Sequence, residues 1–466
     1  MYNFVLQEDL KVYDEFIEKN KGQYIQCSRW QNVKTTWNCR YYCGFDEKGE
    51  TVLAVLVMER SLPVAGKIWY ASSGAVCDYS NTELLKEFTG FIKEEMKKGG
   101  ATCFIMDPPV SLRIDGEDQS YGHEVHKSLT DLGYELNPSI ENYTYKHPVQ
   151  LFIPLKDENG NQISADKILK KCDKGVRYSI RIGEQRGLVA KTFTSKDVDA
   201  DPSIMEDFMV VMRDTGERDS FVERNGDYCA KLLREFDGHS DLKLVYYDKE
   251  LDRKLQAERL QKKEQALKDL EGAHEKKARQ LNEIITSVDK QTEHFEKRME
   301  EAEAFTSENT ICLAGGLSIY YSGMGSCLFG GTRNVIRNNT RSSHYLNYLR
   351  LCESVNRGCD IHDLGYVMVK SPELQEDGTL GALVPQDNFT GIYDFKKSFS
   401  ADYHEFIGEY ILVGNSLKYY SYAKLMPTAK KANLSTQAKI AIIITRLIPK
   451  RLIQNGINKI HNVSLI

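Results

Sequence analysis

The chain has 466 residues, 62 Lys+Arg against 67 Asp+Glu for a net charge of −5, with 41% apolar and 28% charged residues. That composition describes a soluble multidomain protein with ample core, and it excludes a disordered, collagen-like or integral-membrane chain. Eleven scattered cysteines without a CxxC pair suggest neither a disulfide framework nor a zinc ribbon, and point to a reducing, cytoplasmic setting. No signal peptide is expected at Met1-Tyr2-Asn3-Phe4, and the apolar run Ile440 to Ile444 is far too short to span a membrane. The charge is unevenly spread. Residues 411–466 hold nine Lys/Arg and no acid, which leaves −14 on residues 1–410.

Taken in chain order, residues 52–57 and 68–70 read as a strand pair, 82–98 as an amphipathic helix ended by Gly99-Gly100, and 102–106 as a strand. His123-Glu124-Val125-His126 is one residue too short for a zinc-protease box, because ligands sharing a helix face lie four apart. It reads as a solvated pair. From Lys167 to Lys196, nine basic residues face only Asp173 and Glu184. Lys170, Lys174, Arg177 and Arg181 fall on one helical stripe, suited to phosphate or merely solvated. In Thr215 to Tyr228, arginines alternate with aromatics in a pattern that can clamp phosphate and stack on sugar or base.

Residues 249–304 carry 13 basic and 14 acidic side chains, no proline and one glycine, Gly272. Leu281, Ile285, Val288, Thr292, Phe295, Met299 and Ala302 form a heptad seam, and Leu251, Leu255, Leu260, Leu267 and Leu270 a looser one. An antiparallel helical hairpin of about 40 Å, reversing at Gly272, is expected ahead of one uninterrupted helix. Beyond it, 316–321 and 326–329 pair across Gly323 and Gly325, 342–357 is a helix ended by Gly358, and 359–361 is a strand. Hairpin, helix, glycine, strand thus occurs twice, as expected of two copies of one α/β fold. Gly323-Met324-Gly325 and Gly330-Gly331 lack the ending of a P-loop and read as hairpin turns. In Phe395-Lys396-Lys397-Ser398-Phe399, two lysines between phenylalanines imply one partly desolvated ammonium.

Several of these stretches, in this order, resemble the FemABX family of aminoacyltransferases. The matching segments are Tyr70 to Tyr79, Met106-Asp107-Pro108-Pro109, Lys174 to Arg181, Thr215 to Arg224, Leu364-Gly365, Phe395 to Phe399 and Ile407-Gly408-Glu409-Tyr410. The resemblance implies an α/β (α+β) chain of two GNAT-like acyltransferase domains, the second interrupted by an antiparallel coiled-coil arm. Its expected limits are 1–146 for the first domain, 147–248 plus 309–425 for the second, 249–308 for the arm, and 426–466 for a basic tail with an amphipathic helix. The implied activity is transfer of an amino acid from aminoacyl-tRNA, a co-substrate used without cofactor or metal, to an amine on the stem peptide of lipid II or another peptidoglycan precursor. The runner-up readings are a GNAT-like N-acyltransferase with another donor and a non-catalytic RNA- or membrane-binding scaffold.

Carried over by motif, Lys34 and Arg224 resemble a diphosphate-binding pair, and Tyr228 a substrate contact. Lys396, after Phe395, resembles the lysine that stabilises charge during transfer, and Asp107 an acid that orients or deprotonates the incoming amine. Arg218 and Arg177 complete the expected substrate-binding set. Ser72-Ser73 stands where the family pattern has Pro-Arg, and Phe399-Ser400 where it has Phe-Gly. The expected setting is cytoplasmic, peripheral at the inner face of the cell membrane through the basic tail, which equally suits tRNA.

Overall fold

A computed structural model describes residues 1–62, 66–140, 147–219 and 221–420. The basic tail expected over 426–466 lies outside the described residues. The chain is mixed α/β with open sheets and forms two compact units. One comprises Met1–Val149, Val369–Val384 and the chain from Glu405; the other comprises Gln150–Met368 and Pro385–His404.

In the first unit, the strands run in the order Asn3–Leu6, Asn38–Phe45, Thr51–Leu62, Gly66–Ala71, Ala101–Met106, Tyr410–Val413, Tyr134–Leu136. Neighbours are antiparallel except Gly66–Ala71 and Ala101–Met106, which run parallel with Ala71 opposite Met106. The helix Thr82–Gly99 makes that parallel return. Asn81 caps its start by accepting from the Leu84 N–H, and Gly100 at φ +68° ends it. Leu84, Phe88, Ile92 and Met96 recur every four residues and bury one stripe against the sheet with Trp69 and Phe104.

The second unit repeats the scheme. Its strands are ordered Leu188–Phe193, Ser240–Asp248, Thr310–Tyr321, Met324–Thr332, Ile361–Asp363, Val149–Pro154. Thr310–Tyr321 and Met324–Thr332 form the hairpin, the helix Ser342–Asn356 crosses back, and Ile361–Asp363 returns parallel to Met324–Thr332. The consecutive residues Gly315 and Gly316 face opposite sides of the sheet, toward Phe208 of the helix Ser203–Asp219 and toward Arg350 of Ser342–Asn356. Helices therefore cover both faces.

The glycines read as turns divide in two. Ser322 and Gly323 form the hairpin turn, with φ +51° and +83°. Gly330 and Gly331 instead lie within the strand Met324–Thr332, where a side chain has no room. A Cβ at Gly331 would stand 2.3 Å from Thr215 Oγ1, and one at Gly330 2.9 Å from Arg350 Nη1. The His pair also departs from expectation. His126 is 5% exposed, its Nδ1 lies 2.7 Å from the Tyr410 hydroxyl, and burial pushes its pKa down. Only His123, 3.1 Å from Asp377, keeps the solvated character expected of both.

Two helices, Lys249–Leu270 and Glu275–Phe305, replace the short loop that would join the adjacent strands Ser240–Asp248 and Thr310–Tyr321. Asp248 caps the first helix at the Leu251 N–H and also accepts from Asn309 Nδ2, so both ends of the insertion are tied at one residue. The helices lie antiparallel, since Arg253 pairs with Glu303, Gln256 with Thr292 and Lys263 with Asp289. On the second helix Leu281, Val288, Met299 and Ala302 are buried, as the heptad spacing predicts. On the first, Leu260 and Leu267 are 47% and 46% exposed, while Asp252, Gln256 and Ala266 are buried. The facing seam is largely polar.

Its polar centre is an ion pair at the base. Arg298 (0% exposed) donates from Nε to Asp252 Oδ2 at 2.7 Å, and Tyr247 donates its hydroxyl to the same oxygen at 2.7 Å. Arg259 reaches from the first helix to the Gln185 carbonyl. Gly187, at φ +67°, leaves room for Asp252, whose Cβ would lie 2.8 Å from any side chain placed there.

Candidate active site

In the first unit, Asp107 directly follows the strand Ala101–Met106 and is 6% exposed. It accepts from the Tyr70 hydroxyl at 2.6 Å and from the Ser73 backbone N–H at 2.5 Å. Ser73 and Gly74 both take positive φ, and Gln26 Nε2 donates to both of their carbonyls at 3.1 Å. The carboxylate thus holds a tight turn built from the 70–79 segment. Burial, then the Asp107 charge, drives the Tyr70 hydroxyl well above its usual pKa, so Tyr70 stays a donor. Ser72 and Ser73 are 4% and 0% exposed, so the residues standing where the family pattern has Pro-Arg present no charge outward.

Lys34 ends the short helix Trp30–Val33, with its ammonium 5.0 Å from the Trp30 ring centroid. Its carbonyl accepts from the Trp37 N–H, and the Trp37 ring lies 6.4 Å from that of Tyr70. One aromatic step therefore links the Lys34 turn to the Asp107 turn.

In the second unit, Lys396 sits in the last turn of the helix Thr390–Lys397 and is half-buried. Its ammonium donates to the Tyr366 carbonyl at 2.7 Å, while Lys397 donates to the Ala401 carbonyl. Burial pushes Lys396 down to about 8, against the opposing pull of Asp363. Asp363 is itself fixed, accepting from Gln150 Nε2 at 2.8 Å and from the Gly365 N–H at 2.7 Å. A cation with this access and this pKa suits charge stabilisation on a substrate oxygen. Ser400, just past the box, adopts φ +62°, the left-handed conformation that glycine takes without strain.

Arg224 and Tyr228 also come together, with the guanidinium 5.4 Å from the ring centroid. Burial raises the pKa of the Tyr366 hydroxyl, the Arg224 charge opposing it, and the carbonyl of the same residue holds Lys396. The other candidates lie differently. Arg218 is bound to Asp219, the Thr332 carbonyl and Asn334 Oδ1. Arg177 turns back on the carbonyls of Lys170 and Cys172, capping the helix Ala165–Lys171, so the stripe loses one of its four cations to its own backbone. Phe395 packs edge-on to His344 with centroids 4.9 Å apart.

The sequence reading missed Tyr366, whose role lies in a backbone carbonyl and leaves no side-chain signal. Asp363 also went unnoticed, although it shares the run Asp363-Leu364-Gly365-Tyr366. Among the described residues, no group of three or more His, Cys, Asp or Glu side chains is placed to hold a metal ion. No helix among them is long and apolar enough to cross a membrane.

The profile of the FemAB family matches residues 9–426. The chain belongs to the FemAB family, and it is a transferase. A lipid II:glycine glycyltransferase of Staphylococcus aureus (strain MRSA252) is 25% identical over 449 residues, covering 92% of this chain and 97% of the relative. Its counterpart in Staphylococcus epidermidis (strain RP62A) is 24% identical with the same coverage. A crystal structure of FemX superposes with a TM-score of 0.69 at 21% identity, covering 90% of this chain and 99% of that one.

Proposed function

We propose that the chain transfers an amino acid from aminoacyl-tRNA to an amine of the stem peptide of lipid II, extending the interpeptide bridge of peptidoglycan. The relatives' activity on lipid II supports the acceptor. The observation that carries the reading is Lys396, a half-buried ammonium with lowered pKa held by the Tyr366 carbonyl. The acceptor amine attacks the ester carbonyl, a C–N bond forms, and the C–O bond to the ribose breaks. The proton leaves the amine for the departing ribose oxygen, where Lys396 offsets the developing charge.

In this reading Arg224 and Lys34 bind diphosphate, Tyr228 contacts the substrate, and Asp107 orients the amine by fixing the 71–75 turn. Aminoacyl-tRNA is a co-substrate, and the reaction calls for no further cofactor because its acyl ester is already activated. Each unit is read as a GNAT-like acyltransferase fold, supported by the strand–strand–helix–strand order with a parallel return in both. The helical pair 249–305 is read as a coiled-coil arm that meets tRNA. The basic tail is read as a peripheral contact with the inner membrane face.

The test offers the purified protein lipid II with a pool of charged tRNAs and weighs the product by mass spectrometry. A gain equal to one or more amino-acid residues, abolished by ribonuclease, is expected. Modification from an acyl-CoA donor instead would overturn the reading. The pH dependence follows from Lys396. Its ammonium is the working form and is lost as pH rises through about 8, so kcat should fall on the alkaline side with an apparent pKa near that value. A rate flat from pH 7 to 9.5 would remove Lys396 from the chemistry.

A further inference from the structure

The Tyr366 carbonyl that seats the Lys396 ammonium belongs to a turn fixed by one carboxylate. Asp363 ends the strand Ile361–Asp363, which is paired on both sides, with Ser326 opposite in parallel register and Phe152 in antiparallel register. Asp363 is 6% exposed. Its carboxylate accepts from Gln150 Nε2 at 2.8 Å and reaches forward to accept from the Gly365 N–H at 2.7 Å. Leu151 brackets the same turn. Its carbonyl accepts from the Leu364 N–H at 2.9 Å, and its N–H donates to the Gly365 carbonyl at 3.2 Å. Gly365 takes φ +79°, and a Cβ there would stand 3.5 Å from Lys396 Nζ. The chain thus passes close against the ammonium before the Tyr366 carbonyl accepts from it at 2.7 Å.

The same carboxylate supplies charge. The Gln150 amide and the Gly365 N–H are neutral donors, so they orient the carboxylate without cancelling it. The charged and titratable groups facing the ammonium are Asp363, Cys327 on the strand Met324–Thr332 and Arg350 on the helix Ser342–Asn356. Cys327 stays a neutral thiol, because burial pushes it up to about 11. Its Sγ lies 3.5 Å from Nε2 of His362, which burial holds neutral, down to about 3. Arg350 is bonded to the Ser318 hydroxyl and to the Leu317 and Phe329 carbonyls. The ammonium's own helix adds Lys397, bonded to the Ala401 carbonyl, and the exposed Asp394. Burial favours the neutral amine and a nearby opposite charge favours the ammonium. Among these groups Asp363 is the one buried negative charge.

We infer that Asp363 is a positioning residue for the transfer: it fixes the turn whose carbonyl seats Lys396, and it is the counter-charge that keeps that ammonium charged. The inference rests on the reading of Lys396 as the charge that meets the ribose oxygen, and deepens it by naming what holds that charge.

The test uses D363N, which keeps the shape and removes the charge. Its side-chain oxygen can still accept from the Gly365 N–H. Its amide can donate to Gln150 Oε1, a buried acceptor without a hydrogen-bond partner, once the Gln150 amide turns over. Circular dichroism checks the fold. The Lys396 titration is read twice. One reading is kcat against pH in single-turnover transfer from charged tRNA to lipid II. The other is the pH dependence of Lys396 acetylation by acetic anhydride, followed by mass spectrometry, which needs no turnover. Both apparent pKa values should fall by about one unit in D363N. The ratio of kcat at pH 8 to that at pH 6 should then drop roughly fivefold below the wild-type ratio. D363E, which returns the charge, should move both values back up. In a K396R background, where the cation does not titrate, D363N should leave the pH profile unshifted. Loss of kcat by one factor at every pH, with both values unmoved, would reduce Asp363 to a structural residue and overturn the inference. A labelling pKa that falls while the kcat profile stays put would instead overturn the reading of Lys396 in transfer, leaving the charge coupling in place.

Discussion

Replacing Lys396 with alanine should lower kcat by roughly 10²–10³, the usual consequence of removing one preorganised charge from a developing oxyanion. The fold should survive, because the ammonium bonds the Tyr366 carbonyl, which solvent can satisfy, and the helix Thr390–Lys397 gains a good helix former. KM for the lipid-linked acceptor should change little, since Lys34 and Arg224 are the groups read as binding it. A Lys396→Arg variant keeps the charge but alters its shape and removes its titration near pH 8. Its residual activity should therefore extend further into alkali than that of the wild type. Single-turnover kinetics with charged tRNA separate these effects, and a Lys396→Ala enzyme turning over at the native rate would remove the mechanism's main support.

The largest structural effect is expected at the base of the helical pair. Arg298→Met leaves the 0%-exposed Asp252 carboxylate with the Tyr247 hydroxyl and with Arg259, whose Nη1 lies 4.0 Å from Oδ1, as its remaining partners. Asp252→Leu strands the Arg298 guanidinium. Asp252→Leu should cost about 3–5 kcal/mol, because an uncompensated charge is left out of water, and Arg298→Met less, because Arg259 still faces the carboxylate. The double variant Arg298→Met/Asp252→Leu should recover most of that loss, since two apolar groups in contact leave nothing unpaired. Urea unfolding followed by helical circular dichroism measures all four proteins. Single variants within 1 kcal/mol of wild type would show that water reaches the pair.

How far the sequence could be read depended on what each residue's role requires. The seam of Glu275–Phe305 was legible because apolar side chains must repeat at 3.5 residues to stay on one face. In Lys249–Leu270, Leu251, Leu255 and Leu270 are partly buried but Leu260 and Leu267 are exposed, because Asp252 and Gln256 take part of the buried face and polar positions carry no hydropathy signal. The repeated strand–strand–helix–strand order was visible from periodicity and helix-ending glycines, whereas Gly330 and Gly331 looked like turns because close approach by Arg350 and Thr215 is a tertiary fact. His126 was taken as solvated for the same reason, its partner Tyr410 lying 284 residues away. At the site, the flanking phenylalanines predicted one partly desolvated ammonium among Lys396 and Lys397, and Lys396 is half-buried.

The ion pair at Asp252 lies within one helical turn of the point where the pair of helices leaves the sheet. The first helix has 22 residues, which places its far end roughly 33 Å from that point. Over such a length a tilt of about 5° displaces the end by roughly 3 Å, the span of one hydrogen bond. Two short, shared bonds to a single carboxylate oxygen therefore set the aim of the whole projection. The far end of the insertion is thus held at a fixed reach of roughly 33 Å from the sheet.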